Sequence, residues 1–176
     1  MDKTEKTLAS CPIFDGRVIR VHHDRVLCPN GKEAMREVVE HRGGVAVVAV
    51  TEADEVYLVR QYRYAVGCEL LEVPAGKLEA GEDPAQAIRR ELEEEIGMTA
   101  KEWQPLGFIY PSCGYCSEKI YLYLAKGLTV TQAHPDEDEF LDIVRLPRAQ
   151  VMAMCRDGRI RDAKTVCAIL RAEEWL

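Results

Sequence analysis

Glu91, Glu94 and Glu95 stand at intervals that one helix face can gather, with Glu82 and Arg90 upstream and glycines at 76 and 97. A helix advances about 100° per residue. With Glu91 as zero, the three glutamates fall within roughly −60 to +40° of one another's face, and Ile88, Leu92 and Ile96 within roughly 60–140°. One stripe is apolar and belongs in a core; the stripe beside it is acidic. Carboxylates so close repel one another, and a bound divalent cation removes the repulsion. Oxygen donors with open coordination positions are the usual way to hold Mg²⁺ or Mn²⁺ against substrate phosphates. The plainer alternative is a solvated helix laced with pairs such as Arg90–Glu94.

The elements that must position these groups are legible around them. Asp83 is placed as an N-cap, Pro84 as the first helical residue and Gln86 as a capping-box partner, while Gly97 sits where a C-terminal cap belongs. Ahead of this helix, residues 13–28 read as a strand, Pro29-Asn30-Gly31-Lys32 as a hairpin turn and 34–41 as the returning strand. Val45–Thr51 is a β-branched run, expected to be a central strand buried on both faces. Further strands are expected at 55–62, 70–73, 103–110, 118–125 and 140–146. Helices are expected at 147–156 and at 162–174, the latter capped by Asp162. This order predicts an α/β fold with helices on both faces of a mixed sheet. The leading hairpin is marginal by itself and must pair with something, for which a second subunit is one candidate.

Composition excludes several classes. The 176 residues are enough for one domain with a small appendage. A formal net charge of −7 argues against nucleic acid or anionic membrane as partners. An acidic protein acting on an anionic substrate needs local cations, which points back to metal and to a few placed arginines. No apolar run is long enough to span a bilayer, and the first residues lack an apolar signal core. Seven cysteines at scattered spacing suggest reduced thiols in the cytoplasm. Cys113 and Cys116 form a C-x-x-C pair, but the four histidines offer no second ligand pair for zinc, so these are read as loop thiols.

The positions Gly76, Glu82, Arg90-Glu91, Leu92, Glu94-Glu95 and Gly97 match G-x5-E-x7-R-E-U-x-E-E-x-G-U, with U apolar and no departure. The chain therefore resembles the Nudix hydrolases. The flanking Val59–Tyr64, Glu69-Leu70-Leu71-Glu72-Val73-Pro74-Ala75, Pro111–Glu118 and Asp162-Ala163-Lys164-Thr165 look like its ADP-ribose pyrophosphatase branch. The resemblance implies a Nudix fold, a mixed β-sheet sandwiched between helices, over residues 44–176. It also implies an N-terminal β-hairpin extension over 1–43 through which a homodimer forms. The expected activity is metal-dependent hydrolysis of ADP-ribose to AMP and ribose 5-phosphate, with Mg²⁺ (or Mn²⁺) as cofactor. Cys113 stands where the branch usually carries a second proline. This keeps GDP-mannose, ADP-glucose or another nucleoside diphosphate sugar as alternative substrates. A non-catalytic nucleotide sensor is the remaining alternative, although such proteins usually lose box glutamates and this chain keeps all of them.

Roles follow residue by residue. Glu91 and Glu95, one turn apart, are the expected metal ligands, joined in the resemblance by the Ala75 carbonyl, with Glu94 a ligand or its support. Arg90 is expected to orient the glutamates, Glu82 to fix the loop or bind a further metal, and Gly76 and Gly97 to serve the backbone. The resemblance implies a general base in the acidic loop before the last strand, where Glu137 is expected by position as base and Glu139 as a further ligand. Arg63 suits a diphosphate because a planar guanidinium meets two phosphate oxygens. Arg60 is a second arginine for the phosphates, and the resemblance carries over Arg36 for the adenine and Glu118 for the ribose.

Overall fold

The computed structural model describes residues 2–134 and 140–176. The chain divides into two compact units, one formed by the chain up to Gly43 with Tyr110–Lys119, the other by Gly44–Ile109 with Ile120–Leu176.

The larger unit holds a seven-stranded sheet. Its strands are β4 (Gly44–Val50), β5 (Glu55–Arg63), β6 (Cys68–Glu72), β7 (Ala75–Lys77), β8 (Met98–Ile109), β9 (Ile120–Val130) and β10 (Leu141–Pro147). The main order is β10-β5-β4-β9-β8, with β6 on β5 and β7 on β4. β4 and β9 are parallel and the other pairs antiparallel, so the sheet is mixed. Every residue of β4 is buried, as the apolar run requires of a strand covered on both faces. Its alternation divides the core. Ala46, Val48 and Val50 pack with Leu122 and Leu124 beneath α2 (Arg148–Arg156) and α3 (Ala163–Ala172), which add Val151, Met152, Ala168 and Ile169. Val45, Val47 and Ala49 pack with Tyr123 against α1 (Pro84–Ile96), which adds Ala87, Ile88, Leu92 and Ile96. Helices thus cover both faces, as the element order predicted. Among the described residues no helix is long and apolar enough to cross a membrane.

The smaller unit is a three-stranded antiparallel sheet, β1 (Lys6–Asp15), β2 (Ile19–Leu27) and β3 (Glu33–His41), in that order. The antiparallel extension is present, but residues 13–28 are not one strand. They are broken at Gly16, whose N–H bonds to the Ile19 carbonyl at 2.9 Å. A Cβ there would lie 2.5 Å from the Phe14 ring, so any larger residue at the Asp15-Gly16 turn would push that exposed ring aside. Pro12 lies beside a register shift on the edge strand β1, where a missing N–H is tolerated. The segment Tyr110–Lys119 lines up along β3: Val39 donates to the Tyr115 carbonyl at 2.8 Å and accepts from Ser117 N–H at 2.9 Å.

Candidate active site

The acidic helix is fixed at both ends by local chemistry. The Asp83 carboxylate accepts from the N–H groups of Ala85 and Gln86 at 2.9 and 3.2 Å, and Pro84 follows as the first helical residue. At the other end Gly97 adopts φ 62° and returns its N–H to the Glu93 carbonyl at 2.9 Å. A Cβ on Gly97 would also lie 2.7 Å from the Ala133 nitrogen, so glycine serves both the cap and the packing of the following chain.

Glu91 and Glu95 are not on a solvated face. They are 8% and 3% exposed, buried beside the apolar stripe. Glu95 accepts the Ala75 N–H at 2.9 Å, which joins the helix to the turn between β6 and β7. Glu91 lies over Gly76 so closely that a Cβ on that glycine would fall 1.8–2.1 Å from the carboxyl group. Gly76 in turn packs on Gly44, where an added Cβ would meet the Gly76 carbonyl oxygen at 2.7 Å. The glycine at the head of the motif therefore makes room for a carboxylate rather than for a turn.

Arg90 reaches three glutamates. It donates to Glu82 at 3.1 and 3.2 Å and to Glu94 at 2.7 Å, and lies 2.9 Å from Glu91. Its hydrogen bonds to Glu82 raise the arginine pKa above its usual value, and the same pair lowers that of Glu82. Glu82 also takes the Glu79 N–H at 2.9 Å, so it closes the loop ahead of the helix. Glu94, expected as ligand or support, has its carboxylate on Arg90.

Arg63 meets Glu72 through two parallel hydrogen bonds of 2.7 Å. A diphosphate would have to approach its Nη1 corner or displace Glu72. Glu72 is 1% exposed and is also bonded by Lys164. Burial pushes its carboxyl pKa up, but the Arg63 and Lys164 contacts outweigh this and hold it below the usual range. The Glu72 pair in turn raises the Arg63 pKa. Sequence reasoning assigned Glu72 and Lys164 no role, because a buried charge pair spanning 92 residues leaves no local pattern. Arg60 is exposed on β5. In the smaller unit Arg36 is bound to Glu5, with Nε at 2.9 Å, so its guanidinium is engaged within its own sheet. Glu118 lies 3.5 Å from His41. Glu137 and Glu139 lie outside the described residues. The chain leading to them runs beside α1, where His134 N–H bonds to the Glu94 carbonyl at 2.9 Å.

Among the described residues, no three His, Cys, Asp or Glu side chains form a complete metal site. Two buried carboxylates beside a glycine cradle nevertheless offer hard oxygen donors of the kind that suit Mg²⁺ or Mn²⁺. These residues therefore fit a divalent ion, with part of the donor set supplied from elsewhere.

Comparison with known proteins supplies the family. The NUDIX domain family model matches residues 40–169. The chain is 42% identical over 167 residues to a methanol dehydrogenase activator of Bacillus methanolicus, covering 94% of this chain and 90% of that protein. It is 40% identical to an ADP-ribose pyrophosphatase of Bacillus subtilis (strain 168), with the same coverage. A solved structure of an ADP compounds hydrolase superposes with a TM-score of 0.86 at 26% identity, covering 99% of this chain and 95% of that one. With its signature helix folded against the Gly76 turn and its family model spanning most of the sequence, this chain belongs to the Nudix family.

Proposed function

We propose that this protein hydrolyses the diphosphate of ADP-ribose, releasing AMP and ribose 5-phosphate. The observation that carries the reading is the junction of Glu91 and Glu95 with the Ala75-Gly76 turn, two buried carboxylates held against a glycine that has no room for a side chain. The named ADP-ribose pyrophosphatase relative and the ADP compounds hydrolase structure support the substrate class.

Glu91, Glu95 and the Ala75 carbonyl would hold the divalent ion, Mg²⁺ or Mn²⁺, with Glu139 as a further ligand. The bound ion would supply charge neutralisation at the diphosphate. Arg90 holds the glutamate face in one arrangement by dividing its donors among Glu82, Glu91 and Glu94. Arg63, with Arg60 as a second contact, would bind the substrate phosphates. Glu137 takes a proton from the attacking water as its oxygen bonds to phosphorus and the bridging P–O bond breaks. The protein works as a homodimer through its N-terminal strands; β1 is exposed along its whole length and carries Leu8, Ile13 and Phe14. Its thiols, all seven of them free, suit the cytoplasm.

A second substrate reading rests on Cys113, which stands in place of the branch's loop proline and keeps another nucleoside diphosphate sugar as the alternative. Product analysis with ADP-ribose, ADP-glucose and GDP-mannose, in Mg²⁺ and then in EDTA, tests both. Metal-dependent AMP release fastest from ADP-ribose supports the first reading. Faster cleavage of another sugar nucleotide replaces the substrate and keeps the chemistry. No hydrolysis of any of them, with tight binding, would turn the protein into a sensor.

A further inference from the structure

The start of α3 reaches across the larger unit to the turn that carries the metal-facing backbone. Thr165 is fully buried, and its hydroxyl accepts the Val73 N–H at 2.9 Å. The same hydroxyl donates to the Asp162 carboxylate at 2.6 Å, which also accepts the Thr165 N–H at 2.9 Å as the cap of α3. Lys164 lies 3.0 Å from Asp162 and bonds to Glu72, the last residue of β6. Two consecutive residues, Glu72 and Val73, are therefore tied to one helix start, by a side-chain ion pair and a backbone hydrogen bond. The chain then runs through Pro74, whose carbonyl accepts the Val47 N–H at 3.0 Å, to Ala75, whose N–H meets Glu95. Between Glu72 and Gly76 the backbone is thus held in turn by α3, β4 and α1.

A hydroxyl is the group this place requires. It must accept from a buried N–H and donate to a carboxylate at once, which serine and threonine do and no apolar side chain does. The Glu95 bond and the pairing of Ala75–Lys77 with β4 fix the turn on its downstream side. With Val73 anchored on the other side, the Ala75 carbonyl and the Gly76 cradle for Glu91 keep a fixed relation.

We infer that Thr165, assisted by Lys164 and Asp162, is a positioning residue for the metal-binding turn, acting through Val73 and Glu72 rather than touching substrate. The inference rests on the proposed metal site, and its test separates the two. The probe is Mn²⁺ alone, titrated into the full-length protein and followed by the loss of the free-ion paramagnetic resonance signal, beside steady-state hydrolysis of ADP-ribose. Thr165→Val removes the hydroxyl at nearly constant volume. Its Kd for Mn²⁺ is expected to rise about tenfold, with kcat falling by a similar factor at saturating Mn²⁺ and KM for ADP-ribose staying within about twofold. Thr165→Ser keeps both hydrogen bonds and is expected to stay within about twofold of wild type in each quantity. Lys164→Met, which leaves the Val73 bond in place, is expected to raise the Kd about threefold, and it carries the test if Thr165→Val does not fold.

Wild-type Mn²⁺ affinity in a folded Thr165→Val protein overturns the inference, as does a Thr165→Ser protein as weak as Thr165→Val. A wild-type protein that binds no Mn²⁺ overturns the metal site and the inference together. If Mn²⁺ binding responds as expected while no hydrolysis of ADP-ribose is seen, the substrate reading fails and the positioning role stands.

Discussion

Two buried acidic clusters lie in the larger unit, and they are built on opposite principles. Glu72 is enclosed by its own cations, with Arg63 gripping both oxygens and Lys164 bonded to one of them. Its charge is answered by the fold, and its pKa is held low at a buried position. At the acidic helix Arg90 is divided among Glu82, Glu91 and Glu94. Glu95, 3% exposed, meets a backbone N–H. A carboxylate already bound by two cations has little capacity left for an external one. At the acidic helix one guanidinium is spread over three carboxylates, instead of two cations closing on one. Burial alone does not separate the two clusters; the way their cations are shared out does.

The largest effect expected from this contrast is on catalysis at Glu95. Glu95→Gln keeps an acceptor for the Ala75 N–H and removes the charge. We expect kcat to fall on the order of 10³-fold with an unchanged far-ultraviolet circular dichroism spectrum. Near wild-type turnover would remove Glu95 from the metal site and erase the distinction between the clusters.

Glu72→Gln should act mainly on stability. Removing one member of a buried, hydrogen-bonded ion pair strands the others, at a cost of about 3 kcal/mol. The pH dependence has a definite sign. Because folding lowers the Glu72 pKa from the ordinary value of 4.5, its contribution is fully present above that value and is lost as pH falls through the lower folded value. The gap in Tm between wild type and Glu72→Gln should be widest near neutrality and close in acid. A gap that stays constant between pH 7 and pH 3 would mean that Glu72 is not held ionised by its partners.

What could be read from the sequence divides along the same line. The acidic helix was legible because its signals are local: Asp83 and Pro84 at one end, Gly97 at the other, and a 3.6-residue period between them. β4 was legible as a continuous β-branched run. The Glu72 cluster was not, since Lys164 and Thr165 lie 92 residues from their partners and no periodicity connects them. β7 spans only Ala75–Lys77, too short for any alternation to register. The break at Asp15-Gly16 did carry a local signal, a turn-forming dipeptide, which the apolar residues on both sides masked.

Gly76→Ala probes the closeness of the two groups at the acidic helix. The new methyl would stand 1.8–2.1 Å from the Glu91 carboxyl, so either Glu91 or the turn must move. A displacement of about 1 Å is enough to lower kcat on the order of 10²-fold. The Arg63–Glu72 pair lies outside that collision, so stability should suffer less than in Glu72→Gln. If Gly76→Ala lowers Tm as much as Glu72→Gln does, the turn is a folding element first and a cradle second.

The smallest effect compares the two helix caps. Asp83 and Asp162 both cap an N-terminus, but Asp83 accepts only backbone N–H groups, whereas one oxygen of Asp162 also takes the Thr165 hydroxyl and lies near Lys164. Asp83→Ala should lower stability by about 1 kcal/mol, an ordinary loss of a cap. Asp162→Ala should approach about 2 kcal/mol, the upper end of that range, because the Thr165 hydroxyl loses its acceptor in a buried place. Mn²⁺ affinity should follow the same division, unchanged in Asp83→Ala and weakened in Asp162→Ala. The helix that bears the ligands would then tolerate a frayed start, while the helix that bears none would not, since only the second cap is continuous with the anchor at Val73.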